Sequence, residues 1–324
     1  MNITDKNIRN APTLAIVAPC FNEKENIERL VSVISTLLLN MTNEALVSDG
    51  SFLYLVDDGS SDDSWEIIKK IKLLNPKLKA LKLSRNFGHQ AALLAGLTEV
   101  TGKCDAAISI DADLQQDPKV IRNFVIQYKG GVDVVLGIRR DRSADGWFKR
   151  KTALGFYMLM RFMGVSTIPN HADYRLLSNQ ALQALNLFPE KNIFLRAICL
   201  QLGFRVGVVN FDVSPREFGE TKYSLRKMLG LALHGITSFS VAPLRLVTFL
   251  GFSLFLFSLL MGSYVFWITE FSGRALPGWA SIVLPVYFIG GVQLLCLGIV
   301  GEYIGQIYST VRNRPRWISE DHIE

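Results

Sequence analysis

Ile108-Ser-Ile-Asp-Ala-Asp-Leu-Gln-Gln-Asp-Pro118 is the stretch from which the rest of the chain is read. The apolar run Ala106–Ile110 has the pattern of a buried strand. It stops at Asp111-Ala112-Asp113, and Asp117-Pro118 then carry the N-cap and first-turn signature of a helix. Two carboxylates at the carboxyl end of a strand stand where open α/β sheets hold their ligands. Hard divalent cations take oxygen ligands, and Mg²⁺ uses one or two carboxylates together with substrate phosphates. The stretch therefore points to a metal–diphosphate site. Acid-x-acid spacing alone is weak evidence: with 29 Asp and Glu in 324 residues, about two or three such pairs arise by chance. Glu23-x-Glu25 is one of these. Strand-end context, and a second acidic strand end at Asp57-Asp58, separate Asp111-x-Asp113 from that background.

Outward from this stretch, strands and helices alternate. Apolar strands are expected at 14–18, 52–56, 78–83, 106–110 and 132–138, with helical patterns between them and a late strand over 205–213. Regular alternation of this kind predicts an α/β fold with a doubly wound, mostly parallel sheet. Each strand ends in polar or flexible residues, namely Asn22, Asp57-Asp58-Gly59, Arg85-Asn-Phe-Gly88, Asp111 with Asp113, and Arg139-Arg140. A parallel sheet lines these ends along one edge, where one cleft collects them. The glycine signatures of a dinucleotide fold and of a P-loop are both missing from the sequence.

Composition changes after residue 240. Residues 246–268 and 279–300 are long apolar runs, each near the ~20 residues that cross a bilayer, and two membrane helices are expected. Lys222, Arg226, Lys227 and Arg245 precede the first run, and Arg312, Arg314 and Arg316 follow the second. The connecting loop carries only Glu270 and Arg274. This asymmetry puts both ends on the cytoplasmic side of the cell membrane. No cleavable signal peptide is expected, because Met1–Pro12 is polar and the apolar run after it is short. The net charge of +6, gathered beside the spans, suits an anionic membrane surface. Nucleic acid is not an expected partner, since no basic stripe is interleaved with aromatics. Cys20, Cys104, Cys199 and Cys296 are scattered and read as reduced, buried residues.

Six motifs occur in order: Pro19-x-Phe-Asn-Glu23, Val56-Asp-Asp-Gly-Ser-Ser61, Arg85-Asn-Phe-Gly-His89, Asp111-Ala-Asp-Leu-Gln115, Asp173-Tyr-Arg-Leu176 and Arg216-x-x-Gly-x-x-Lys-Tyr223. Together with the two apolar runs and Gly301-Glu-Tyr-Ile-Gly305, they resemble the inverting family 2 glycosyltransferases of GT-A fold. More narrowly, they resemble the polyisoprenyl-phosphate glycosyltransferases, which include dolichol-phosphate mannose synthases and undecaprenyl-phosphate glucosyltransferases of the GtrB type. The resemblance implies a glycosyltransferase domain over 1–215, an acceptor loop and amphipathic interfacial helix over 216–243, two transmembrane helices over 244–310 and a cytoplasmic tail over 311–324. It implies that Asp57 or Asp58 holds the uracil or ribose of a nucleotide sugar, with Pro19, Glu23 and Gln115 lining that pocket. Asp113 is the first choice of metal ligand, for Mg²⁺ or Mn²⁺, with Asp111 and Gln115 beside it.

The acceptor implied is a polyisoprenyl phosphate, which is already anionic and needs charge screening more than deprotonation. Planar guanidinium groups suit it; Arg139, Arg150, Arg216 and Lys222 are the candidates. Asp173 is expected to act in catalysis by touching the sugar or orienting Arg175. Two departures from the family pattern are visible. The loop reads Gly219-Glu-Thr-Lys222 where relatives have Gly-x-Ser-Lys, and Asp173-Tyr-Arg175 stands where Asp-Phe-Arg is common. The reaction implied moves one sugar, with UDP-glucose the expected donor, to undecaprenyl or a related polyisoprenyl phosphate with inversion. Its rivals are transfer to a lipid or polysaccharide hydroxyl, which demands a general base near Asp173, and a non-catalytic scaffold of a glycan-export complex. Oligomeric state is open, and a homo-oligomer is compatible with the sequence.

Overall fold

Strands β1 (Leu14–Cys20) and β2 (Phe52–Asp57) are buried at every position. Strands covered on both faces belong in the middle of a sheet with helices above and below. The computed structural model describes residues 9–140, 171–188, 195–212, 242–272, 279–312 and 314–324. The remaining strands are β3 (Leu78–Leu83), β4 (Ala106–Ser109), β5 (Val134–Arg139), β6 (His171–Ser178), β7 (Val206–Phe211) and β8 (Ser319–Ile323). Their order in the single eight-stranded sheet is β7-β5-β6-β4-β1-β2-β3-β8.

Strands β1 to β4 pair in parallel, and β5 is parallel to β7. Only β6 and β8 run the other way, β6 against both β4 and β5, and β8 against β3. The expected mostly parallel direction holds, but the sheet is mixed. Residues 171–178, where no strand was expected, form β6, inserted between β4 and β5. The chain end, expected as a tail, adds an edge strand. Its Ser-Glu-Asp-His-Ile sequence shows no apolar alternation, so β8 pairs through its backbone and through Lys82–Glu320 at 2.9 Å.

Helices α1 (Ile27–Asn43), α2 (Ser64–Lys72), α3 (His89–Val100) and α4 (Ile121–Lys129) follow β1 to β4 in turn. Leu30 and Ile34 of α1, Trp65 and Ile68 of α2 and Phe124 of α4 share one core with Ile16, Leu53 and Ile108. Alternate strand residues face the opposite side, where α3 packs at short range. A Cβ at Gly96 would lie 2.5 Å from Val17 and 2.7 Å from Val56. Beyond β6, α5 (Asn179–Asn186) starts at its cap Ser178, and α6 (Leu195–Gln201) follows. Asp117 caps as expected, accepting from the Lys119 N–H at 3.0 Å, with Pro118 opening the short turn that enters α4.

A separate unit holds α7 (Ala242–Ser272) and α8 (Trp279–Val311), of 31 and 33 residues. Each is longer than the ~20 residues that span hydrocarbon. The two expected apolar runs fall inside them. Among the described residues one stretch, Phe288–Gly305 of α8, is long and apolar enough to cross a membrane, with mean hydropathy 1.6. α7 exposes Phe249, Phe252, Phe257, Leu260 and Trp267.

Candidate active site

The ends of β1 and β2 form one wall. Asn22 adopts φ 54°, an uncommon left-handed conformation that Asn tolerates better than most residues. That turn lets its N–H donate to Ser60 Oγ and its side-chain oxygen accept from the Ser61 N–H, both at 2.9 Å. The Glu23 N–H donates to Ser64 Oγ at 3.1 Å, and Glu23 Oε2 accepts from Asn26 at 2.6 Å. Pro19 is buried opposite Val56. The two motifs read separately from sequence are thus stitched together by hydrogen bonds.

Asp57 and Asp58 are both buried. Asp57 accepts from the Ser60 N–H at 3.3 Å and from its hydroxyl. The oxygens of Asp58 accept from the consecutive N–H groups of Phe87 at 2.7 Å and Gly88 at 2.9 Å. Burial raises both carboxyl pKa values, and these hydrogen bonds oppose the rise. Gly59, at φ 66°, lies against the same loop, where a Cβ would stand 2.3 Å from the Arg85 carbonyl carbon. Asp58 therefore clamps the Arg85–Gly88 loop from which α3 starts at His89.

His89 reaches back to the end of β4, with Nε2 3.5 Å from Asp111 Oδ1. Gln116 holds the other carboxylate oxygen, donating at 2.6 Å, and its carbonyl accepts the Asp111 N–H at 3.2 Å. Asp113 Oδ1 accepts the Gln115 N–H at 3.1 Å. Between them Leu114 has φ 53°, a strained conformation of the kind that collects at functional sites. Burial raises the Asp111 pKa and the charges of Asp173 and Asp113 add to it, while His89 and Arg139 oppose it. Neighbouring carboxylates that repel one another make a favourable seat for a divalent cation. Among the described residues no group of three or more His, Cys, Asp or Glu is gathered to hold a metal. Asp111 and Asp113 nevertheless fit the one or two carboxylates that Mg²⁺ requires when phosphates complete its shell.

Because β6 runs beside β4, Asp173 joins this cluster, and Ser109 Oγ donates to its carbonyl at 2.7 Å. Arg196 from α6 grips the Asp173 carboxylate side-on, Nε at 3.3 Å and Nη2 at 2.9 Å, and the fully buried Arg175 pairs with it as well. Burial alone would raise the Asp173 pKa, but Arg175 and Arg196 hold it far below the usual carboxylate range. A carboxylate so firmly ionised is a poor general base.

One sheet edge therefore unites Pro19, Glu23, Asp57, Asp58, Asp111, Asp113, Gln115, Arg139 and Asp173. Arg150, Arg216 and Lys222, and the expected interfacial helix, lie outside the described residues. Sequence reasoning passed over Gln116, Arg196 and, as a site residue, His89. Gln116 adjoins the expected ligand Gln115, and His89 ends the Arg85-Asn-Phe-Gly-His89 motif. Nothing in the sequence marks Arg196, which reaches the site through the pairing of β6.

A mixed α/β sheet with nucleotide-type loops and paired aspartates at one edge defines a GT-A-like glycosyltransferase. Residues 15–185 match the model of glycosyl transferase family 2, and the chain belongs to that family. Residues 242–307 match the GtrB C-terminal hairpin. Over 309 residues the chain is 46% identical to the glycosyltransferase YkoT of Bacillus subtilis, covering 95% of this chain and 91% of that one. It is 37% identical over 306 residues to the SfII prophage-derived bactoprenol glucosyl transferase of Shigella flexneri, covering 94% and 96%. Among solved structures, mannosyltransferase PcManGT from Pyrobaculum calidifontis, in complex with GDP-Man and Mn²⁺, superimposes with a TM-score of 0.50 at 15% identity, over 96% of this chain and 88% of that one.

Proposed function

We propose that this glycosyltransferase moves one sugar from a nucleotide diphosphate sugar, UDP-glucose as first choice, to undecaprenyl or a related polyisoprenyl phosphate, with inversion. The relatives named as bactoprenol glucosyl transferases support a lipid-phosphate acceptor. The observation that carries the reading is the double arginine grip on Asp173. A hydroxyl acceptor needs a base to take its proton. A phosphate oxygen arrives anionic and needs none.

In this reading an acceptor phosphate oxygen attacks the anomeric carbon from the face opposite the nucleotide. The new C–O bond forms as the bond to the diphosphate oxygen breaks, and the nucleoside diphosphate leaves with the electron pair. Pro19, Glu23 and the Asp57–Asp58 loop bind the nucleotide. Asp111 and Asp113, with Gln115 beside them, hold Mg²⁺ or Mn²⁺. That ion, when bound, supplies fixed positive charge to the leaving diphosphate. Gln116 and His89 keep Asp111 in position. Arg139, with Arg150, Arg216 and Lys222, screens the acceptor phosphate. α7 and α8 span the cell membrane with both chain ends cytoplasmic, and residues 216–243 lie at its surface. This anchoring raises the effective concentration of lipid acceptor, as any tether does.

The test is a radiolabelled transfer assay on purified protein in detergent with undecaprenyl phosphate and Mg²⁺ or Mn²⁺. UDP-glucose should yield a lipid product cleaved by mild acid, with stoichiometric UDP release and a configuration opposite to that of the donor. Absence of labelled lipid with every common nucleotide sugar sinks the reading. An acid-stable lipid or polysaccharide product would favour the hydroxyl acceptor.

A further inference from the structure

His171 is the first residue of β6, paired with Ile138 of β5. Arg175 pairs with Ser109 at the end of β4, and the register of β6 against β5 slips between Arg175 and His171, so His171 stands at the start of β6 two residues before Asp173. On that strand His171, Asp173 and Arg175 share one face. His171 is 4% exposed, and among the described residues neither Nδ1 nor Nε2 has a hydrogen-bond partner. Arg175 Nε, on the same face, also has none. Buried polar groups in folded proteins are nearly always paired, and two orphaned nitrogens on one ring beside the acidic site call for a missing partner.

The surroundings restrict that partner. Burial, reinforced by the charges of Arg175 and Arg196, pushes the imidazole pKa down to about 3. The ring is thus neutral, with one N–H donor and one acceptor nitrogen. Arg175 and Arg196 together outweigh the one carboxylate, Asp173, that pairs with both, which disfavours a cation at the ring. An ionised phosphate has no proton to give to the acceptor nitrogen. A hydroxyl both gives and takes, and the donor sugar brings several to this edge of the sheet.

We propose that His171 receives a hydroxyl group of the sugar being transferred and so helps to set which sugar the site takes. The inference rests on the transferase reading above. It predicts a residue of sugar selection rather than a participant in bond breaking.

The test measures binding of UDP-glucose and its 2-, 3-, 4- and 6-deoxy analogues to the full-length protein in detergent, by calorimetry, with Mn²⁺ and no acceptor. The unaltered protein should bind one analogue about tenfold more weakly than UDP-glucose, the effect of one lost hydrogen bond in a site built to receive it. His171→Ala should bind UDP-glucose about tenfold more weakly and lose its discrimination against that analogue. His171→Gln, which keeps a donor and an acceptor, should recover part of both. If the alanine variant fails to fold by thermal melting, a glutamine variant with altered discrimination upholds the inference and one with the original pattern overturns it. A folded alanine variant with unchanged discrimination also overturns it, leaving a buried water as the ring's partner. If the unaltered protein binds no nucleotide sugar, the transferase reading falls and this inference with it.

Discussion

Gln116 holds Asp111 from two sides, donating to its carboxylate at 2.6 Å and accepting its main-chain N–H at 3.2 Å. Partners that orient a metal-binding carboxylate matter nearly as much as the carboxylate itself. Replacing Gln116 by Leu strips both bonds and strands the Asp111 N–H. The variant should lose about 1–3 kcal/mol of stability. Its apparent affinity for Mn²⁺, from the metal dependence of transfer, should fall roughly 10- to 100-fold. A metal dependence identical to that of the parent would remove Gln116 from the site.

Asp113→Asn separates an enzyme from a scaffold. The Gln115 N–H that Asp113 accepts at 3.1 Å can be kept by an amide oxygen, so the fold should survive. The charge that favours a divalent cation is lost. Transfer should drop by roughly a hundredfold or more, the scale of losing one group that stabilises the transition state. The melting temperature should move by only a few degrees. Retention of cellular function by this variant would argue for the scaffold.

Gly59→Ala tests the clamp between the second and third strand ends. The position has φ 66°, and the added methyl would sit 2.3 Å from the Arg85 backbone. Both the conformation and the space oppose it, and a loss of about 1–3 kcal/mol is expected. The displaced Arg85–Gly88 loop carries His89, so the KM for the donor should rise more than kcat falls. Equal stability would show that the loops can part without cost.

His171 gives stability a pH dependence of known sign. Its pKa is pushed down to about 3 in the folded chain, against about 6.5 when unfolded. The unfolded state therefore binds more protons between these values, and stability present above pH 6.5 is lost as pH falls towards 3. One such group contributes at most about 1.4 kcal/mol per pH unit. Urea denaturation between pH 5 and 6.5, where most carboxylates stay ionised, should show a shallower slope for His171→Gln than for the parent. Parallel slopes would mean that the ring titrates normally.

Much of this was legible in the sequence because its causes are local. The end of β4 and the cap at Asp117 follow from an apolar run, a pair of acids and an Asp-Pro step. The succession and parallel direction of β1 to β4 follow from alternation of strands and helices. β6 was not legible, because an antiparallel strand between β4 and β5 is decided by long-range pairing. β8 escaped for a different reason, its polar sequence bearing no mark of a strand. The hold of Gln116 on Asp111 follows a turn through Leu114, whose left-handed φ nothing about a leucine announces. Asp173 was expected to touch the sugar or orient Arg175, and its pairing with Arg175 is present; the second pairing, with Arg196, comes from a helix that no motif marks.

The edge strand β8 bears on how this protein can be cut. The long helices lie between β7 and β8 in the chain, so they interrupt the catalytic fold rather than extend it. A soluble fragment ended before residue 242 would leave β3 with an open row of backbone donors and acceptors, an invitation to pair with other chains. Excising α7 and α8 while joining residues 314–324 back through a flexible linker keeps that edge closed. The piece that looks most expendable in the sequence is the one a water-soluble version has to retain.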